Sequence, residues 1–490
     1  MHWRCQVCGF VQQGDKAPSL CPVCEAGAEL FSPMPNSPPA PAAVQVTDDD
    51  PRPIWRCTVC DYVVRGEQPP ARCPVCEADA SMFKRAPVTP AVLAAVLQSM
   101  DIVIVGAGIA GLTAAEQARA VNPKARLVLI NDEWSLPYYR INLTRLLAGE
   151  VSVESLAIHP ASWFEAQNID LVYGKVAELD RVQGRIRLHD GRTLRYDRLI
   201  LCTGAEAARL PIPGAELAGV SMLRQLDDAK FLLDACQHAR HAVVIGGGLL
   251  GLEAAGALRR QGLQVCVVEA APQLMPRQLT PRGAALLQRE IESLGIEVIC
   301  GSGIRKLHGF DSVSQVELAN DRKLEAELVL MAAGIRPRLG LAQAAGLATG
   351  RGLLVDERMC SSDEKIFAAG DGVEFQNTIY GIWPASFAQA LVAGRNAAGG
   401  DERFTGLAPS TRLKVLGREI FSAGVPNPSD GQGELIEYES ERSYFSLLLR
   451  DGRIVGATAV GDASLSAVMQ ECVESASTLD ACPELAERFR

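Results

Sequence analysis

The strongest hydrophobic pattern in the chain begins at Asp101, where the apolar run IVIV ends in a glycine-rich turn and passes into the Ala-rich stretch IAGLTAAEQAR. A short apolar run without polar alternation predicts a strand buried on both faces, and the stretch after it predicts a helix. A second apolar run, ARLVLIN, follows, and the whole succession returns as HAVVIGGGLLGLEAAGALRRQGLQVCVVE. DRLILCTGA and IFAAGDGVE supply further strand-and-turn patterns. Beyond Ala408, RLKVLGREIFSAG and YFSLLLRDGRIVGATAVG predict short strands ahead of a final helix. The pattern is that of an α/β body.

Ahead of Asp101 the chain repeats itself with an offset of 52 residues: Trp3 matches Trp55, Gly14 matches Gly66 and Phe31 matches Phe83. Each copy is about thirty residues, too short for apolar burial alone to offset chain entropy. Each carries two C-x-x-C pairs twelve residues apart, Cys5, Cys8, Cys21 and Cys24 in the first and Cys57, Cys60, Cys73 and Cys76 in the second. Four thiolates on a tetrahedral metal ion would hold such a unit folded, and an S4 donor set restricts the ion to zinc or iron. Between the copies, SPMPNSPPAPAAVQVTDDDPRP reads as a Pro-rich, semi-extended linker.

Composition narrows the picture. A length of 490 residues implies three or four folding units, and 48% apolar residues suffice for large cores. The net charge of −10, with no basic run, argues against nucleic acid as a partner. No apolar run reaches the length of a membrane span, and MHWRCQVCGF lacks the regions of a signal peptide, so a cytoplasmic protein is expected. Of 15 cysteines, seven stand alone (Cys202, Cys236, Cys266, Cys300, Cys360, Cys472, Cys482) and read as small buried hydrophobes.

In the body, Gly106, Gly108 and Gly111 follow the first strand at the spacing that lets a dinucleotide pyrophosphate approach a helix N-terminus. An acid at the end of the next strand should hold the adenosine ribose; Asp132 and Glu133 both qualify. Gly246, Gly248 and Gly251, followed by Glu269, repeat the arrangement. Two such units imply two dinucleotides, and a carboxylate at Glu269 favours NADH over NADPH by repelling a 2′-phosphate.

From Met100 to Gly400 these motifs resemble the glutathione-reductase-like flavoprotein family, which implies FAD at the first unit and NADH at the second. By that resemblance Thr203 and Gly204 mark the crossing from FAD to NAD domain, Gly334 the return, and Gly370 and Asp371 the second FAD fingerprint. PYYRINLTRLL, which carries no cysteine, is similar to the P-x-x-R-x-x-L-[ST]-[KR] segment of NADH-dependent rubredoxin and ferredoxin reductases. The likeness places Arg140 and Arg145 near the flavin, with Glu253 beside the nicotinamide. A Glu253–Arg145 ion pair is expected there, and Trp383 is expected to cover the flavin. The tetracysteine copies resemble the short rubredoxins of rubrerythrins, which implies two iron centres, with zinc as the alternative. Asp61 in place of Gly9 makes the second copy differ in potential or stability.

The expected architecture is two Rossmann-like dinucleotide-binding domains and a small α+β C-terminal interface domain, behind two metal-stapled modules. The divisions fall at 1–34 (module), 35–52 (linker), 53–85 (module), 86–99 (linker), 100–220 (FAD), 221–337 (NAD), 338–407 (FAD) and 408–490 (interface, suited to packing or a homodimer). The expected activity passes electrons from NADH through FAD to the fused irons. From there they go to a redox partner such as a diiron peroxidase, a flavodiiron protein or a rubredoxin. The alternative is a reductase or oxidase whose modules are zinc-bound docking domains.

Overall fold

The structure, a computed structural model, describes residues 100–407 without interruption, nearly all of 410–489, and separate stretches of the first 85 residues. The two apolar-run patterns become two parallel five-stranded sheets of like construction. In the first, Asp101–Val105 lies between Arg198–Leu201 and Arg126–Asn131, with Ile366–Ala368 and Ile169–Tyr173 at the edges. In the second, His241–Ile245 lies between Leu328–Met331 and Gln264–Glu269, with Val220–Ser221 and Ile296–Cys300 outside. Both central strands are buried after their first residue, as runs without polar alternation require.

The helices Ile109–Val121 and Trp383–Ala397 pack together against the first sheet, and close contact is possible because the Gly394 position has no side chain. A Cβ there would lie 2.3 Å from the Ala114 carbonyl oxygen. The two passages between the domains run side by side: Ala205–Ala207 pairs antiparallel with Ile335–Pro337. The C-terminal unit is a five-stranded antiparallel sheet carrying the helix Ser466–Glu474. Tyr444, Ile420 and Val460 of that unit belong to the same hydrophobic core as Val244, Val265 and Leu287 of the second sheet domain. Cys472 and Cys482, expected to be independent, are joined as a disulfide. The short helical turn Leu479–Ala481 returns the chain to the face on which the preceding helix carries Cys472, a proximity that their spacing of ten did not reveal.

The repeat at the N-terminus is structural as well as sequential. His2–Cys5 lies between Val11–Gln13 and Phe31–Met34, and Ile54–Cys57 lies between Val63–Arg65 and Phe83–Arg85. In each copy the first cysteine pairs in register with the phenylalanine that the repeat carries: Cys5 with Phe31, Cys57 with Phe83. Cys8, Cys24, Cys60, Cys73 and Cys76, with Gly9 and Asp61, lie outside the described residues. Among the described residues no helix is long and apolar enough to cross a membrane.

Because Tyr444 is fully buried in a core shared by two units, its loss is expected to destabilise both together. Tyr444→Ala should lower the stability of the body by about 3–5 kcal/mol, read as one shifted transition in denaturant melts of the full chain; two separated transitions would contradict a shared core.

Candidate functional site

The two glycine turns open into one cavity of about 1510 Å³, large enough for two extended cofactors. Their construction is the same. Gly106 has φ +103°, and a Cβ there would stand 2.1 Å from the Cys202 carbonyl oxygen; Gly246 has φ +116°, and its Cβ would stand 2.5 Å from that of Ala332. Gly111 and Gly251 let each helix close onto its turn. By contrast, Gly108 and Gly248 face open space with nothing within 4 Å. The helices they start, Ile109–Val121 and Leu249–Arg260, have no side-chain cap. Uncapped first-turn N–H groups beside an open glycine are suited to a pyrophosphate, so both turns fit a dinucleotide.

Glu269 accepts two backbone bonds at 2.7 Å, one from Gly247 N that ties it to the second turn and one from Ala271 N two residues on. At the first turn, Glu133 accepts hydrogen bonds from Arg140 at 2.6 Å and the Tyr138 hydroxyl at 2.7 Å, while Asp132 meets Arg338 at 3.2 Å. All of these acids line the cavity, as do Thr203, Gly204, Gly334 and Gly370. Thr203 Oγ1 donates to the Arg338 carbonyl, which fastens the two passages together. Asp371 is bridged by Arg224 at 2.6 Å and Ser386 Oγ at 3.0 Å. Arg224 carries no motif in the sequence and was not anticipated; its guanidinium reaches this carboxylate only because the fold brings positions 147 residues apart together.

The expected Glu253–Arg145 ion pair does not form. The short helix Leu143–Leu147 turns successive side chains by about 100°, so Thr144 faces Glu253 and Arg145 faces away. Thr144 Oγ1 donates to Glu253 at 3.1 Å, whereas Arg145 Nε donates to Glu150, a carboxylate that also pairs with Arg260. The Ser/Thr slot of the P-x-x-R-x-x-L-[ST]-[KR] pattern was the signal for this contact. Burial pushes the Glu253 carboxyl up to about 7, with the Thr144 hydroxyl opposing the rise. A carboxyl group that titrates near neutrality can hold or release a proton at the cavity wall.

Trp383 starts its helix at the cavity and stacks on Tyr139, with ring centroids 5.7 Å apart and planes at 29°. Tyr139 was also missed, since nothing in PYYR separates it from the Tyr138 beside it. Cys202 is the cavity's cysteine among the described residues, and burial pushes its thiol up to about 12, so it is not poised as a nucleophile. Phe421 and Gln470 bring the C-terminal unit to the same cavity. In the first tetracysteine copy, Cys5 and Cys21, one from each C-x-x-C pair, are each 1% exposed and share a cluster with Phe31. Buried thiols from both pairs in one apolar shell fit a tetrathiolate metal site.

The Glu253 carboxyl is raised above its unfolded value, so the folded state is favoured while it stays protonated and loses that advantage as pH rises toward 7. Glu253→Gln should therefore flatten the fall in stability between pH 5 and 7 and gain roughly 1–3 kcal/mol at pH 8. Parallel pH–stability curves for variant and parent would contradict this burial.

Residues 100–393 match the pyridine nucleotide-disulphide oxidoreductase family, residues 409–477 the C-terminal domain of rubredoxin NAD+ reductase, and residues 3–32 and 55–84 the rubredoxin-like domain of rubrerythrin. A nitrite reductase [NAD(P)H] of Bacillus subtilis is 35% identical over 74% of this chain, and the match spans 46% of that protein, so the chain covers about half the length of such relatives. The ferredoxin–NAD(+) reductase component of a biphenyl dioxygenase system from Paraburkholderia xenovorans is 33% identical over 73% of this chain and 89% of its own. The crystal structure of NADH:rubredoxin oxidoreductase from Clostridium acetobutylicum superposes with a TM-score of 0.68 at 29% identity, covering 78% of this chain and 97% of that one. With its paired glycine cradles and matching order of motifs, the chain belongs to the pyridine nucleotide-disulphide oxidoreductase family.

Proposed function

We propose that the protein takes electrons from NADH at the second glycine turn and passes them through FAD at the first to rubredoxin-type iron in its N-terminal modules, and from there to a separate redox protein. The observation that carries this reading is the character of the cavity between the turns. Two uncapped cradles open into it, and its cysteine, Cys202, is held as an inert buried thiol. Thiol exchange with a disulfide substrate therefore has no nucleophile at the cavity among the described residues, whereas the chain carries eight paired cysteines elsewhere.

Bound FAD would supply the conversion of a two-electron donor to one-electron acceptors. The chain's own residues orient and insulate. Gly108 and the helix behind it would hold the FAD pyrophosphate, with Arg140, Glu133 or Asp132, and Asp371 around the rest of the cofactor. Gly248 would hold the NADH pyrophosphate, and Glu269 the ribose. Glu253, kept near neutral by burial, would stand where nicotinamide and flavin meet without adding a fixed negative charge. Trp383, which lines the cavity and stacks on Tyr139, would cover the flavin. Such a relay would serve a diiron peroxidase, a flavodiiron protein or a rubredoxin, since each accepts single electrons.

Replacing Cys57 and Cys60 together with Cys5 and Cys8 by serine should abolish NADH-driven reduction of an added one-iron carrier while ferricyanide reduction persists. Retention of carrier reduction would contradict the relay, and loss of carrier binding alone would support zinc-bound docking domains instead. Glu269→Ala should narrow the preference for NADH over NADPH by about tenfold, measured as the ratio of kcat/KM values; an unchanged ratio would remove Glu269 from the ribose.

A further inference from the structure

The first tetracysteine module is not merely tethered to the body. Cys5 and Cys21 share one buried cluster with Tyr139, and Ala17 from the module and Ile158 and Trp383 from the body pack against it. Tyr139 is 9% exposed, and it stacks on Trp383, which lines the cavity. The thiolate side of the module is therefore the side turned to the body, and two aromatic rings stand between it and the flavin site. In the second module Phe83, the counterpart of Phe31, is buried, and no cluster of the described residues joins it to the body.

We infer that the first module is seated on the Tyr139–Trp383 wall as the proximal electron acceptor, and that the second module is the one that serves an outside carrier. The inference rests on the proposed relay and gives it an order. A seated module covers the aromatic wall, so a separate carrier cannot reach the flavin site by that face. In sequence, 18 residues (35–52) precede the second module and 14 residues (86–99) follow it. At about 3 Å per residue, the length of the shorter segment sets an upper bound of roughly 40 Å on the distance from the second module to Met100. Each NADH yields NAD+, a proton and two electrons, which reduce one Fe(III) to Fe(II) in each module, so two modules take up the output of one turnover.

The test uses the full-length, metal-loaded protein and the variant Ala17→Arg, which puts a charge into the contact without touching a ligand or the cavity. Hydrogen exchange reads the seating directly. Segments 137–141 and 156–159 should be protected in the parent and exchange faster, by about tenfold or more, in the variant. Equal exchange in the two proteins would overturn the seating. Anaerobic rapid mixing with NADH reads the order. Cys57→Ser/Cys60→Ser should keep the fast phase of iron bleaching, and Cys5→Ser/Cys8→Ser should lose it, with the remaining iron reduced at least about tenfold more slowly because the docked state is gone. The opposite assignment of the fast phase would overturn the order. Iron absent from the parent, or not bleached by NADH, would refute the relay itself, and the exchange experiment would still decide the seating.

Discussion

Both nucleotide cradles depend on a backbone approach that tolerates no Cβ. Gly106 lies against the carbonyl of Cys202 and Gly246 against that of Ala332, each at a distance that only glycine permits. Those two carbonyls belong to the residues that start the passages between the domains. Cys202 leads into Ala205–Ala207 and Ala332 into Ile335–Pro337, and the two passages pair with each other. The contact that shapes each turn thus also fixes where the chain leaves its sheet. This is how two cradles distant in sequence come to open into one cavity. A larger residue at either position would displace a strand end and the passage with it, so the cost would fall on the domain arrangement as well as on one binding turn.

This constraint explains why so much of the fold could be read from the sequence. Glycine spacing, uninterrupted apolar runs and a terminal acid are local features, and each has a single steric or electrostatic purpose. Gly106 and Gly108, their counterparts at 246 and 248, and the acids at 132, 133 and 269 accordingly line the cavity, while Gly111 and Gly251 lie behind it, against the carbonyls of Gly106 and Gly246. The 52-residue repeat reappears as two three-stranded sheets of the same order. What escaped depends on rotation or on distant chain. Arg145 and Thr144 are neighbours in sequence, and only the turn of a five-residue helix decides which meets Glu253. Arg224 reaches Asp371 across the fold, and Cys472 reaches Cys482 through a reversal that no spacing rule encodes.

Exchange of Arg145 for Thr144 at Glu253 changes the character of the site. A guanidinium would hold the carboxyl ionised; a hydroxyl in a buried setting leaves it near neutrality, so its charge responds to what binds beside it. A protonated Glu253 is compatible with an electron-rich partner at the cavity wall, and an ionised one with a cationic ring. Phe421 and Gln470 also line the cavity, so the C-terminal unit contributes to the site as well as to the core it shares through Tyr444.

The proposed relay requires electrons to leave the cavity for iron in the fused modules. An anaerobic titration of the purified full-length protein with NADH, followed by its visible and electron paramagnetic resonance spectra beside a metal analysis, tests this most directly. Two iron atoms per chain, with the ferric thiolate bands and the high-spin ferric signal lost on addition of NADH alone, is the predicted result. Two zinc ions per chain and no ferric signal, with flavin bleaching the sole change, would contradict it.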